Sequence, residues 1–287
     1  MSEGNGHPYS WSAIFNGYDR EAMQDCPFPA IPEYLGKQDF PADGLGHLGR
    51  VTHIWTQDPA VSEKIAKAAK IPNVVNKIGD LTGKVDAILL ARDDAEKHYE
   101  MALPFLKAGL PIFIDKPLAL SEREAREMFE AQQQEDQIFS CSSLRYAEEL
   151  ELTAQDRDRI GEIVHVEASV PKKWETYAVH VIEPLISQLP QRGALTNTIP
   201  FMKNGVQHIL VEWKNISAYI KVRDDVPVPI KLEFFGKKGS VQKNFKDSYA
   251  CFRASLENFI KIIHKEQENI PREETLEVVR IIEKGKI

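Results

Sequence analysis

At 287 residues the chain is about twice the size of an ordinary domain, so two domains sharing one crevice are expected, and 43% hydrophobic with 28% charged residues argues against long disorder. A net charge of −7, from 36 basic and 43 acidic side chains with no basic run, argues against a nucleic-acid partner. Three scattered cysteines, Cys26, Cys141 and Cys251, suit neither a disulfide framework nor a zinc site; no apolar run approaches the ~18 residues of a membrane span and no signal peptide opens the chain, so a soluble cytoplasmic protein is expected.

Gly4-Asn5-Gly6 stands where a dinucleotide fold places its glycine turn, ahead of a helix with Pro8 in its first turn and Trp11, Ile14 and Phe15 on its buried face. Tyr9 replaces the third glycine of G-x-G-x-x-G, and only three residues precede Gly4, too few for the apolar strand that delivers such a turn. In the strand order 3-2-1-4-5-6 that strand is central, so the natural chain is expected to start upstream with Met1 internal. Residues 18–50, rich in proline, glycine and aromatics, read as a lid, a packing arm or a plain surface insertion.

From residue 50 onward short apolar runs alternate with amphipathic helices, the pattern of parallel β-α-β units. Residues 51–56 form a strand, Asp58-Pro59 caps and opens a helix carrying Val61, Ile65, Ala66 and Ala69, and 73–78 form a short strand. The almost wholly apolar 85–91 reads as a central strand buried on both faces. A helix over 95–107 stops at Gly109, a strand follows at 111–114, and Ser121 with Glu124 makes a capping box ahead of a helix bearing Ala125, Met128 and Phe129. A last strand at 137–142 completes residues 1–146 as a Rossmann-type, doubly wound parallel domain without its first strand.

Residues 147–287 read as an α+β domain with a mostly antiparallel open sheet. Its strands are expected at 163–170, 209–213, 217–222 and 230–235, and two closing helices carry Phe252, Leu256, Phe259, Ile260 and Ile263, then Leu276, Val279 and Ile282. An exposed apolar sheet face of that size predicts a homodimer or homotetramer.

Ligands of open parallel sheets bind beyond the C-terminal strand ends, and Asp115-Lys116-Pro117 follows the strand 112–114 at such an end. With 85–91, His98-Tyr99-Glu100-Met101-Ala102, Lys107-Ala108-Gly109 and Ile114-Asp115-Lys116-Pro117-Leu118-Ala119 in that order and spacing, the chain resembles the glucose-fructose oxidoreductase/inositol dehydrogenase (Gfo/Idh/MocA) family. The likeness is good over about 50–146 and looser beyond. Asp115 departs from the family's Glu-Lys-Pro.

The resemblance implies a hydride transfer between nicotinamide and a secondary alcohol or ketone of a sugar, nucleotide sugar or cyclitol, with Lys116 at the substrate hydroxyl. It places a second proton-handling or substrate residue on His180. The family aspartate four residues earlier is Thr176 here, with Glu175 and Glu183 as alternative charges, and Lys173 and Tyr177 are candidate substrate contacts. Cofactor contacts are expected from Gly4, Asn5, Gly6, Thr56, Gln57, Arg92, Asp115 and Lys116; Asp93 lines the same strand end, and His98 either joins that site or packs against it. Arg145 is expected either to bind substrate or to bridge the domains.

The cofactor is NAD or NADP, with a lean to NAD because no arginine stands at 56–58 to meet a 2′-phosphate. His53 and His165 sit inside expected strands, no metal cluster emerges, and no Gly-x-Ser-x-Gly elbow supports a hydrolase. A catalytically degenerate relative, serving as cofactor sensor or scaffold, is the rival reading, supported by Thr176 and by the incomplete glycine turn.

Overall fold

The computed structural model describes residues 5–224 and 226–287. Gly4, one of the expected cofactor contacts, lies outside the described residues. Helix α1 (His7–Asn16) is followed by two short helices, α2 (Arg20–Gln24) and α3 (Ala30–Leu35). Then come β1 (His53–Ile54), α4 (Pro59–Ala68), β2 (Asn73–Val74), β3 (Ile88–Leu90), α5 (His98–Lys107), β4 (Ile112–Ile114), α6 (Glu122–Glu130) and β5 (Ile138–Phe139). The C-terminal part holds α7 (Ala154–Ile160), β6 (Ile163–Pro171), α8 (Trp174–Tyr177), α9 (Val179–Gln188), β7 (Leu195–Lys203), β8 (Val206–Trp213), β9 (Ser217–Arg223), β10 (Lys231–Gly236), β11 (Gly239–Asn244), α10 (Ser248–Ile263) and α11 (Arg272–Lys284).

The chain divides into two compact units that interleave along the sequence. One takes residues up to 115 with 128–139 and 248–269; the other takes 116–127, 140–247 and 270–287. The single boundary read at 146 therefore gives way to several passages between units, and α10 joins the nucleotide-fold unit because its Phe259 packs on Phe113 and Phe139.

In the first unit the β-α-β alternation is present, but the run read as a central strand at 85–91 is β3, which lies at the edge of its sheet among the described residues, with Leu89 half-buried. Asp58 accepts the Ala60 N–H at 2.9 Å and so caps α4. The buried Gln137 donates its amide to the carbonyls of Leu106, in the last turn of α5, and of Leu110 just beyond it, tying the helix exit to β5. Trp11 of α1 stacks on Phe113, which meets Phe139 edge-on, both at 4.7 Å. The 18–50 stretch forms a packing arm: Met23, Ile31, Leu35 and Leu45 are buried, and Tyr249 donates to the Asp43 carbonyl at 2.8 Å. The parallel sheet is split: β1 pairs with β2, β3–β4–β5 form a separate sheet, and among the described residues no strand joins them. The strand expected at 73–78 is only β2, because Asp80 accepts the Lys77 N–H and turns the chain into a 3₁₀ turn at Ile78–Leu81.

The second unit carries a six-stranded sheet, order β11-β10-β6-β9-β8-β7 among the described residues. It is mixed: β6 and β9 run parallel, while the other neighbours are antiparallel. Val166, Ala168, Ile209, Val211, Ile220 and Phe234 alternate onto one face and pack on Ile182 and Leu185 of α9 and Ile281 of α11. The two strands that sequence reading missed, β7 and β11, are the sheet's edges, where Pro200 is tolerated and half-polar sequences such as 239–244 need bury little.

Candidate functional site

In the second unit a buried tryptophan positions the chemistry. Trp174 is fully buried and donates its indole N–H to the Ile282 carbonyl at 2.8 Å, which fixes α8 and the start of α9. Tyr177 ends α8 and His180 is the second residue of α9, so their rings meet edge-on at 5.0 Å. Lys116, only 7% exposed, holds its Nζ 5.9 Å from the Tyr177 ring. Lys172, with a left-handed backbone (φ 64°), lays its ammonium 4.1 Å from the same ring and donates to the Tyr177 hydroxyl.

His180 Nδ1 lies 2.8 Å from Ser142 Oγ. That hydroxyl also accepts the Leu144 N–H at 3.3 Å, so Ser142 ties the imidazole to the 3₁₀ turn at Ser143–Tyr146. Lys116, Tyr177, His180 and Ser142 thus form one contiguous cluster of groups able to hold or pass a proton.

Behind it lies an ion cluster. Arg145 pairs with Glu183 at 3.2 Å and with Glu274 at 2.8 Å. Glu183 is one turn after His180, buried, and its carboxyl is pushed up to about 7 by burial and by the Glu274 charge, against the pull of Arg145. Arg145 is therefore engaged in holding the 3₁₀ turn Ser143–Tyr146 to α9, and Glu183 faces Arg145 rather than His180. It is the Ser142 hydroxyl that meets His180 Nδ1. Lys173 is exposed at the N-cap of α8, and the neighbouring Lys172 makes the contact with Tyr177.

In the first unit the C-terminal strand ends gather a second set. Asp115, 1% exposed, accepts from Asn5 Nδ2 at 2.8 Å and meets His7 Nδ1 at 2.7 Å, while His7 stacks on Trp11 at 4.7 Å. Arg92 is buried and forks onto Asp94, leaving its Nη1 without a partner among the described residues. His98, fully buried, donates Nε2 to the Arg92 carbonyl at 2.8 Å, so it orders the exit of β3. Thr56 Oγ1 donates to the Asp58 carbonyl and touches Ser62 Oγ, and Gln57 beside it is exposed.

These residues fit a nicotinamide dinucleotide in part. The orphaned, buried guanidinium nitrogen of Arg92 is a donor aimed at an acceptor the protein does not supply. The α1 turn fits less well: His7 N–H is donated to Asn5 Oδ1 at 2.7 Å, Pro8 has no N–H, and the Tyr9 and Ser10 N–H groups go to the Gly6 carbonyl. A Cβ on Gly6 would meet Ile31 and Phe28 at 2.6 and 2.9 Å, so packing against α3 explains this glycine. Sequence reasoning missed Ser142, Lys172 and His7. Ser142 and His7 leave no spacing signal because their partners are 38 and 108 residues away, whereas Lys172 meets Tyr177 five residues on. Among the described residues no group of His, Cys, Asp and Glu could hold a metal, and no helix is long and apolar enough to cross a membrane.

Residues 34–143 match the family described as oxidoreductase family, NAD-binding Rossmann fold (GFO_IDH_MocA). A comparison with curated proteins gives no match. Among solved structures, the chain is similar to a dehydrogenase (MviM) from Clostridium difficile, at 17% identity and TM-score 0.67 over 91% of this chain and 94% of that one. It is similar to an apo scyllo-inositol dehydrogenase from Lactobacillus casei, at 13% identity and TM-score 0.66 over 83% and 87%. A third is a biliverdin reductase from Synechocystis sp. PCC 6803, in complex with biliverdin and NADP+, at 12% identity and TM-score 0.66 over 83% and 90%. At these identities the likenesses establish the fold.

Proposed function

We propose that this chain, whose residues 34–143 match the oxidoreductase family with NAD-binding Rossmann fold, works as a Gfo/Idh/MocA oxidoreductase and interconverts a secondary alcohol and a ketone on a sugar, nucleotide sugar or cyclitol, using NAD or NADP. The observation that carries this reading is the contiguous cluster of Lys116, Tyr177, His180 and Ser142. A bound nicotinamide supplies or accepts the hydride. The chain's own residues do the rest: Lys116 takes the proton of the substrate hydroxyl, His180 passes protons or holds a neighbouring hydroxyl through Nε2, and Ser142 fixes the imidazole. Lys172 and Tyr177 offer further hydroxyl contacts, Arg92 Nη1 offers a donor to the cofactor, and Asn5 and Asp115 bind each other behind that site. A cyclitol relative among the similar structures supports the substrate class, and the absence of arginine at 56–58 supports NAD.

Assay of reduced-nicotinamide formation with inositols, sugars and nucleotide sugars, in both directions and with both cofactors, tests the reading. Turnover with at least one polyol supports it; none across the panel, from chain shown to bind cofactor, refutes it. Ser142→Ala is expected to lower kcat about tenfold with KM little changed, because an oriented general acid–base contributes about 10²–10⁴-fold and only its orientation is weakened. Unchanged kcat would separate Ser142 from the site.

A non-catalytic family member, acting as cofactor sensor or scaffold, is favoured by one observation, the internal satisfaction of the α1 turn. We also propose a homodimer or homotetramer through the open face of the six-stranded sheet. There Ile199 and Phe201 are about two-fifths exposed, and Phe201 stacks on His208 at 5.0 Å. Phe201→Glu is expected to yield monomer in sedimentation velocity; an unchanged sedimentation coefficient would rule that face out. Cys26, Cys141 and Cys251, all buried and outside any disulfide among the described residues, support a cytoplasmic location.

A further inference from the structure

The first unit holds a pocket of about 600 Å³ at the strand edge opposite the one that carries Thr56. Arg50 lies three residues ahead of β1 and Lys70 three ahead of β2, and the two strands run parallel, so both residues mark the N-terminal edge of that sheet. Asn16, the last residue of α1, ties the floor together. Its amide donates to the Val51 carbonyl at 2.8 Å and to the Lys70 carbonyl at 3.3 Å, and its Oδ1 accepts the Val51 N–H at 3.0 Å. The 18–50 arm makes the remaining wall. It approaches α1 so closely that a Cβ on Gly44 would meet the Ile14 carbonyl oxygen, and one on Gly46 the Phe15 carbonyl oxygen, each at 3.0 Å. Leu45 N–H donates to the Ile14 carbonyl at 2.8 Å, and Tyr18 meets Phe40 edge-on at 5.5 Å. The pocket is thus built on fixed backbone rather than on a loose loop.

Arg20, Arg50 and Lys70 line it together with one carboxylate, Asp39. None of the three cations makes a side-chain hydrogen bond or ion pair among the described residues, whereas Arg92, Arg145, Arg192, Arg253 and Arg280 each hold a carboxylate. Lys70 has a left-handed backbone (φ 51°) just past the end of α4, a position that glycine usually takes. The cations are not spent on helix ends. The carbonyls of Ala13 and Ile14 at the end of α1, and of Ile65, Ala66 and Ala68 at the end of α4, already accept backbone N–H groups. Three full charges outweigh Asp39 and the two helix ends, about half a charge each, so the pocket is positive in a chain of net charge −7. Like charges round one cavity repel, and a multiply charged anion relieves them.

We propose that this pocket binds a phosphate monoester of a hydroxylated ring, as found in a sugar phosphate or a mononucleotide. Arg20, Arg50 and Lys70 take the phosphate dianion, whose oxygens suit the guanidinium forks. Asp39 accepts from a ring hydroxyl, and Tyr18 with Phe40 gives the ring an apolar wall. The site is separate from the oxidoreductase reading, which uses the opposite strand ends.

Isothermal titration without nicotinamide tests the site. The probes are glucose-6-phosphate, adenosine monophosphate, inorganic phosphate and glucose. At least one of the two esters is expected to bind with a Kd of about 1 mM or tighter, and about tenfold more tightly than inorganic phosphate or glucose. The better ester identifies sugar or nucleotide as the source. Arg20→Gln/Arg50→Gln is expected to weaken that ester about thirtyfold or more, because it removes two charge-assisted contacts; both side chains are exposed and unpartnered among the described residues, so the fold is kept. Arg159→Gln/Lys237→Gln removes the same charge from exposed positions in the other unit and is expected to leave the affinity within about twofold. No heat with either ester up to about 10 mM overturns the proposal, as does equal affinity for inorganic phosphate. Weakening of less than about threefold in the Arg20/Arg50 variant also overturns it, since the ester then sits elsewhere, and so does an equal loss in the charge control. Neither turnover nor nicotinamide enters the measurement, so its failure leaves the oxidoreductase reading standing, and the failure of that reading leaves this site standing.

Discussion

Lys116→Met is expected to lower kcat by about 10²–10⁴-fold while leaving cofactor affinity within about threefold, because a positioned acid–base group contributes that much to the chemical step and little to ground-state binding. The lysine is buried and its ammonium faces the Tyr177 ring, so methionine keeps the length and apolar stem and removes the proton-carrying head. Retained turnover would remove Lys116 from the chemistry. A variant that unfolds is distinguished by its near-ultraviolet dichroism, since Trp174 and Tyr177 lie on the neighbouring helix α8.

The second large effect concerns the ion cluster behind His180. Arg145→Met leaves Glu183 and Glu274 buried or nearly so without their cation, and breaking a buried pair by removing one partner costs about 3–5 kcal/mol. The cost depends on pH in a direction the structure sets. Glu183 has a folded pKa of about 7 against an ordinary 4.5. Its contribution to stability is fully present below about 4.5 and is lost as pH rises through about 7. Glu183→Gln removes that dependence. Relative to the parent, the glutamine variant is expected to gain about 2–3 kcal/mol between pH 5 and pH 8 in urea unfolding, from the linkage of one shifted carboxyl. For Arg145→Met the destabilisation should be larger at pH 8 than at pH 5, because at low pH the buried carboxyl takes up a proton. A pH-independent difference in both variants would show that Glu183 is ionised in the folded protein at all these pH values.

The parts of the fold legible in sequence were those with strong local patterning. Residues 85–91 and 112–114 are apolar on both faces and became β3 and β4, and Asp58-Pro59 became the cap of α4. The family resemblance carried by the ordered runs around Asp115-Lys116-Pro117 singled out Lys116 and His180, which respectively follow β4 and open α9. Pairing across the chain was not legible. Ser142 reaches His180 from 38 residues away, and His7 reaches Asp115 from 108 away, so neither leaves a periodic signal. Edge strands β7 and β11 escaped because they bury too little to alternate. Arg145 was read as substrate-binding or bridging, but it is an ion-pair hub that orders the turn after Ser142. Nor was it legible that the parallel strands of the first unit form two separate sheets, β1–β2 and β3–β4–β5, among the described residues.

The most direct test of the oxidoreductase reading follows one atom. A polyol found to turn over is prepared with deuterium on the carbinol carbon, and the cofactor is analysed by mass spectrometry after turnover by the parent and by Lys116→Met. One deuterium per product, carried on the nicotinamide ring and nearly absent with the variant, is the predicted result. Deuterium released to water, or transfer undiminished in the variant, would contradict it.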